Sequence, residues 1–157
     1  MLFRSKADYT IIPNGIDLSH FNPSVEPMYQ YRDGKINIVF VGRLEKRKGA
    51  NYLIDAFKRI HKEHPETRLL IVGPGTRLRP KYEKMVRQAH LEKDVVFTGG
   101  VSYADLPRYY QTADICCAPA TGACTLTYQA SCLMPLWPVE LKPLSSKGFK
   151  LTLTLSN

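Results

Sequence analysis

The feature that most constrains the fold of this chain is an alternation between short apolar runs and longer segments with helical spacing. Four runs rich in β-branched or apolar residues are too short to form helices, and we predict that each is a strand buried on both faces. They are INIVFV (Ile36–Val41), RLLIV (68–72), VVFT (95–98) and DICCA (114–118). From this alternation and a length of 157 residues, we predict one domain with a single sheet.

The segments that separate these runs are predicted to be amphipathic helices. They cover 50–64, 79–90 and the stretch that follows Ser102. Their predicted inward-facing residues are Leu53, Phe57, Ile60, Tyr82, Met85, Val86, Ala89, Leu106 and Tyr109. Pro80 suits a first helical turn, and Ser102 with Asp105 resembles a capping box. Alternating strands and helices imply right-handed crossovers, so the predicted fold is a doubly wound α/β domain with a parallel sheet.

The composition favours an anionic partner. Twenty-two basic residues against fourteen acidic ones give a net charge of +8, which suits phosphates, nucleic acid or an acidic lipid surface. Nucleic acid is the least favoured, because no aromatic stacking platform or recognition-helix motif accompanies the charge. No stretch has the roughly 18 consecutive apolar residues of a membrane span, and the first residues lack a signal peptide's apolar core. We therefore expect a cytoplasmic protein.

The cysteines and histidines show no metal-ligand spacing. Cys116, Cys117, Cys124 and Cys132 are expected to be reduced thiols, and the four histidines are assigned no chemistry. The sequence also lacks a triad-like signature, which disfavours a hydrolase.

The segment GRLEKRKG directly follows the first predicted strand, at the sheet edge where ligands of parallel sheets bind. Gly42 permits a sharp turn, Arg43 can offer a bidentate fork to a phosphate, and Lys48 adds a point charge near the next helix. A diphosphate suits such a site, and a solvated basic turn is the alternative. Glycines also follow the second and third runs, in VGPG (72–75) and TGGV (98–101). They leave room for a ligand, although strand-to-helix turns often contain glycine, and no standard phosphate-loop motif is present.

Five stretches taken together resemble the C-terminal half of a family 4, or group 1, glycosyltransferase, from about residue 7 to residue 122. They are IIPNGIDLSHFNP, IVFVGRLEKRKGANYLIDAF, LLIVGPG, VVFTGGV and YYQTADICCAPATG. The chain most resembles the phosphatidylinositol mannosyltransferase branch. The resemblance implies the GT-B arrangement, in which two Rossmann-like domains face each other across a cleft and the C-terminal one holds the nucleotide-sugar donor.

By this resemblance, Arg43 and Lys48, with Gly42, hold the donor diphosphate, and Gly100 with Val101 contacts the nucleobase through the backbone. The nucleotide-sugar is a substrate, and no metal or other cofactor is expected. The resemblance further implies a retaining reaction in which the leaving diphosphate helps to deprotonate the acceptor. No catalytic residue is assigned within this chain, because the N-terminal acceptor domain of intact relatives is expected to be missing. The same resemblance also implies a peripheral position at the inner face of a membrane.

The resemblance implies that the chain divides into an interdomain crossover segment (1–16), an incomplete donor-binding domain (17–122) and a tail (123–157) that departs from the family. Relatives continue with a glycine-rich loop and two glutamates eight residues apart, whereas this chain has no glutamate between Gly122 and Glu140. We hypothesise that the tail is translated out of frame, because the codons required for residues 137–140, shifted back by one nucleotide, permit the family's Met-Ala-small-Gly run. We therefore expect an inactive enzyme fragment, with a catalytically inactive nucleotide- or polyphosphate-binding module as the alternative.

Overall fold

A computed structural model describes residues 17–75 and 77–119 of the chain. Its strands and helices alternate in the predicted order. They are β1 (Ile36–Val41), α1 (Ala50–Glu63), β2 (Thr67–Val72), α2 (Arg79–Gln88), β3 (Val95–Gly99), α3 (Leu106–Thr112) and β4 (Ile115–Cys116). Two short 3-10 turns, Tyr29–Tyr31 and Lys46–Lys48, precede β1 and α1.

The four strands form one parallel sheet in the order β3-β2-β1-β4. β1 and β2 pair along their whole length, from Ile36 opposite Thr67 to Val41 opposite Val72. After β3 the chain crosses to the other edge of the sheet, so the direction of strand addition reverses between β1 and β4. Such a reversal is the topological switch point at which α/β proteins bind their ligands.

The core consists of a layer on each face of the sheet. Ile38 and Phe40 of β1 pack on one face with residues of α1 and α2, whereas Val39 packs on the other face with Tyr109 of α3. The alternation follows from the two-residue period of a strand. Helices therefore cover both faces, and the predicted doubly wound α/β fold is confirmed.

The structure corrects three details of the prediction. Burial on both faces is right for β1 and β2, but β3 and β4 are half-buried because each lies at an edge of the described sheet. β4 is also shorter than the predicted 114–118, because it pairs only with β1. The Ser102–Asp105 pair does form, with the Asp105 N–H donating to the Ser102 hydroxyl oxygen at 3.1 Å, but α3 begins only at Leu106.

A polar cluster lies at the amino ends of β1 and β2. The buried Arg68 guanidinium donates to the Asp33 carboxylate and sits 5.5 Å from the centre of the Tyr31 ring. The side-chain amide of Asn37 donates to the Tyr31 carbonyl at 3.0 Å. The hydrogen bond from Arg68 lowers the pKa of Asp33 below its ordinary value. This cluster anchors the segment that leads into the sheet, at the edge opposite the basic loop.

Several predictions lie outside the described residues. They concern the crossover segment 1–16, the tail 123–157 with its reading-frame hypothesis, Cys124 and Cys132. Within the described part, Cys116 and Cys117 are half-buried and pack on opposite faces of the sheet. No helix in the ranges 17–75 and 77–119 is long and apolar enough to cross a bilayer.

Candidate functional site

The loops that follow β1, β2 and β3 are joined by backbone hydrogen bonds beyond the ends of the strands. The N–H of Gly42 donates to the Val72 carbonyl at 2.8 Å, and the N–H of Leu44 donates to the Pro74 carbonyl at 3.0 Å. The N–H of Gly73 in turn donates to the Gly99 carbonyl at 2.9 Å. The carboxyl edge of the sheet is therefore a connected surface rather than three independent loops.

Glycine is required at this edge because the backbones approach closely. A Cβ on Gly73 would overlap the carbonyl oxygen of Gly42 and lie 2.7 Å from its carbonyl carbon. That separation is shorter than real Cβ contacts, so any side chain at Gly73 would push the first loop away from the second. The sequence pattern found these glycines, and the structure shows why the turns need them.

The basic loop after β1 is organised around one carboxylate. Glu45 accepts from Arg47 Nε at 2.6 Å, and Arg43 Nε lies 3.3 Å from its other oxygen. The hydrogen bond from Arg47, with the nearby charges of Arg43 and Lys48, lowers the pKa of Glu45. Arg43 remains 65% exposed, so its guanidinium can reach a ligand in front of the loop.

Lys48 is held more closely than Arg43. It is half-buried, its N–H donates to the Glu45 carbonyl at 3.0 Å, and its stem passes close to Gly42. Its side chain is therefore carried by a hydrogen-bonded turn just beyond the carboxyl end of β1.

The N-terminus of α1 lies directly beyond this turn. Gly49 links the two elements in a left-handed conformation with φ of 73°, and the first turn of α1 contains no acidic residue. Helix N-termini present unpaired N–H groups and a partial positive charge, which together bind anions. Gly49 also packs against the carbonyl of Pro119, which follows β4, so this helix end lies at the switch point.

Gly100 and Val101 lie farther along the same edge. Gly100 is exposed beside Pro74, whereas the Val101 side chain packs against the core layer that contains Tyr109. β3 is two strands from β1 in the sheet, and the spacing of neighbouring strands places this loop about 10 Å from the carboxyl end of β1. The predicted site residues Gly42, Arg43, Lys48, Gly100 and Val101 therefore share one edge in two groups.

The pairing of His20 with Tyr103 was missed by the sequence reasoning, which assigned the histidines no chemistry. His20 Nε2 lies 2.8 Å from the Tyr103 carbonyl oxygen, and the two rings stack with centroids 4.4 Å apart. This contact ties the segment that enters the domain to the loop after β3. No local pattern could reveal it, because the two residues are 83 positions apart.

A hollow next to the basic loop separates it from the start of α2. It is lined by Lys46, Arg47, Asn51, Tyr52, Leu78, Lys81 and Tyr82. Its cations extend the positive surface from the carboxyl end of β1 towards α2. Within residues 17–75 and 77–119, no group of three or more His, Cys, Asp or Glu side chains could hold a metal ion.

The sequence matches the family model described as glycosyl transferases group 1 over residues 27–123, more than half of the chain. It is 35% identical over 117 residues to the phosphatidyl-myo-inositol mannosyltransferase of Mycobacterium tuberculosis (strain H37Rv), an alignment covering 74% of this chain and 30% of that protein. It is 30% identical to the alpha-monoglucosyldiacylglycerol synthase of Acholeplasma laidlawii, covering 69% and 29%. The chain thus spans about 30% of the length of these curated relatives.

Solved structures show the same fold. The C-terminal domain of a group 1 glycosyl transferase, LpcC from Francisella tularensis, superposes with a TM-score of 0.68 at 25% identity, covering 76% of this chain and 67% of that one. HepE from Anabaena, determined in complex with UDP and glucose, superposes with a TM-score of 0.63 at 19% identity, covering 79% and 35%.

Proposed function

This chain belongs to the group 1 glycosyltransferases, which transfer sugars from nucleotide-sugar donors, and we propose that its described domain holds the donor, with Arg43 and Lys48 binding the diphosphate. One observation carries the proposal: the loop that contains Arg43 and Lys48 leads directly into the N-terminus of α1, at the switch point of the sheet. Three sources of positive potential at one point suit a group with two or more negative charges.

The same arrangement suits the chemistry of transfer. When the bond between the sugar and the diphosphate breaks, negative charge accumulates on the leaving phosphate, and positioned cations stabilise it. Arg43 and Lys48 can supply that stabilisation without a metal ion, which is the role proposed for them here. The nucleobase would lie against the backbone of Gly100 and Val101, since a span of about 10 Å between the two groups suits a nucleoside diphosphate.

We propose a retaining reaction at this site, as the family resemblance implies. The acceptor oxygen forms a bond to the sugar carbon while the bond to the diphosphate breaks, and the acceptor proton passes to a leaving phosphate oxygen. The acceptor domain implied by the resemblance would hold the acceptor, so we expect the described domain by itself to bind donor without turnover. Two relatives carry lipids in their names, phosphatidyl-myo-inositol and diacylglycerol, and we propose a lipid acceptor at the inner face of a membrane.

A nucleotide-binding module without transferase activity is the second candidate. It needs only the basic loop and the N-terminus of α1, because phosphate binding requires no acceptor site. Both candidates predict nucleotide binding at the same edge, and only an assay of sugar transfer to an acceptor separates them.

Isothermal titration with UDP, GDP and ADP at low salt tests the donor site. We expect one nucleotide to bind the unmodified chain, and the Arg43→Ala, Lys48→Ala double variant to lose that binding. The matched control, Lys62→Ala with Lys84→Ala, removes the same charge far from the edge and should retain it. Equal losses in both variants would show that only overall charge matters. Absence of binding by any nucleotide to the folded chain would refute the donor-site proposal.

A further inference from the structure

The positive charge of this chain is concentrated in one part of the described structure. Residues 46–94 contain 13 Lys and Arg against six Asp and Glu, whereas the other described residues contain four against six. The surplus therefore belongs to the segment that carries α1 and α2. Both helices pack on the same face of the sheet, and together they carry seven Lys and Arg against three Asp and Glu, so this side of the domain is basic.

The basic side is exposed and little neutralised. Five exposed cations of α1 and α2 make no ion pair within residues 17–75 and 77–119: Arg59, Lys62, Lys81, Lys84 and Arg87. We call these five residues the basic face. The diphosphate site does not account for them, because they lie along the helices rather than at the switch point.

An exposed aromatic side chain borders the basic face. Tyr52, in the first turn of α1, is 60% exposed and lines the hollow that also contains Lys81. Tyrosine favours the boundary between water and lipid, where its ring is in an apolar environment and its hydroxyl stays hydrated. A single exposed tyrosine is too little for the repeated base stacking that single-stranded nucleic acid uses.

We propose that the basic face docks on the surface of a bilayer containing anionic lipids, with Tyr52 at the lipid headgroups. The proposal rests on the proposed function in one respect, since the lipid acceptor favours a bilayer over other polyanions. Basic residues held near an anionic bilayer each contribute about 1 kcal/mol, or about a five-fold factor in affinity. Docking would hold the neighbouring diphosphate site close to the membrane that contains the acceptor.

Vesicle co-sedimentation of the whole chain tests the docking. Vesicles of phosphatidylcholine alone and of phosphatidylcholine with phosphatidylglycerol serve as probes, at low ionic strength and again in salt that shortens the Debye length to about 3 Å. We expect binding only to the anionic vesicles at low salt. Reversing two charges of the basic face, Lys62→Glu with Lys84→Glu, should weaken this binding by about 30-fold or more.

The matched control reverses two charges on the opposite side of the sheet, Arg32→Glu with Arg108→Glu. It changes the net charge equally and should leave vesicle binding within about three-fold of the unmodified chain, because those residues face away from the bilayer. Equal losses in the two variants would overturn the proposal in favour of a general charge effect. No binding to anionic vesicles, or tighter binding to a DNA duplex in the same buffer, would also overturn it.

Two further measurements separate this proposal from the donor site and from misfolding. Circular dichroism must show both double variants folded, and Lys62→Gln with Lys84→Gln provides a milder form of the same test, with a smaller expected loss. Titration of the charge-reversed variants with UDP, GDP and ADP reports on the donor site alone. Loss of vesicle binding with nucleotide binding retained supports docking through the basic face, whereas vesicle binding without nucleotide binding would refute only the donor site.

Discussion

Replacing Gly49 by alanine is expected to destabilise the domain through two separate effects. Gly49 has a φ of 73°, and a residue with a Cβ in that region costs roughly 1–2 kcal/mol. Its added Cβ would also overlap the carbonyl oxygen of Pro119 and lie 2.9 Å from the carbonyl carbon. Because that neighbour is backbone, relief requires the loop after β4 to move, and overpacking of this kind costs about 1–3 kcal/mol. The expected total is about 2–5 kcal/mol.

Gly34 provides a matched control for the backbone strain. It too has a positive φ, 87°, but no other atom lies within 4 Å of the position that its Cβ would occupy. Gly34→Ala should therefore show only the conformational cost of roughly 1–2 kcal/mol. The difference between the two variants isolates the contact between Gly49 and the loop after β4.

Urea denaturation followed by far-ultraviolet circular dichroism measures both free energies of unfolding by linear extrapolation. We expect Gly49→Ala to lose about 1–3 kcal/mol more than Gly34→Ala. Equal losses would refute the reasoning, because they would show that the loop beside Gly49 yields at no cost. Gly49→Ala should also weaken nucleotide binding, since it displaces the end of α1 that we propose to face the diphosphate.

Three further predictions follow from the described contacts. The pKa of Asp33 is lowered by Arg68, so the stability that this pair contributes is present above the ordinary value of 3.8 and is lost as pH falls through the lower folded value. Asp33→Asn should therefore reduce the loss of stability at low pH, which is measured as the urea midpoint at a series of pH values. Thr112→Val should cost about 1–3 kcal/mol in urea denaturation, because the Met28 N–H donates to the buried Thr112 hydroxyl oxygen at 2.7 Å and would lose its acceptor. Glu45→Gln should tighten nucleotide binding about two- to five-fold by titration calorimetry, because it removes a carboxylate that competes for an arginine; weaker binding would show instead that the carboxylate orients the loop.

The elements predicted well are those whose signal is local. The continuous apolar run of β1 and the helical spacing of α1 each fix an element within a few residues of its observed bounds, and both elements are central to the core. The position of a strand within the sheet is not a local property. VVFT is as apolar as the central runs, yet it lies at an edge of the sheet that residues 17–75 and 77–119 form, because the chain crosses to β4 after it.

The partners of the buried Arg68 escaped the sequence reasoning for the same reason. Arg68 was predicted to begin a strand buried on both faces, and it is only 7% exposed because Asp33 and the Tyr31 ring cover its guanidinium. Those partners precede β1 and reach Arg68 only after β1 and β2 have paired. The contact of His20 with Tyr103 likewise depends on tertiary packing. Turn composition could place Arg43 and Lys48 at the sheet edge, but it could not reveal that Glu45 bridges two arginines.

The ion pairs of Glu45 with Arg43 and Arg47 affect how a diphosphate would bind at the proposed site. Exposed ion pairs of this kind contribute about 0–1 kcal/mol, so releasing Arg43 from Glu45 costs little. A diphosphate offers more negative charge than one carboxylate, and it would also face the N-terminus of α1, whose first turn contains no acidic residue. Lys48, in contrast, belongs to a turn that is closed by the hydrogen bond from its own backbone N–H to the Glu45 carbonyl. The site therefore combines one cation fixed by the backbone with one adaptable guanidinium. That combination would tolerate different diphosphate geometries and leave the choice of nucleotide to the loop after β3.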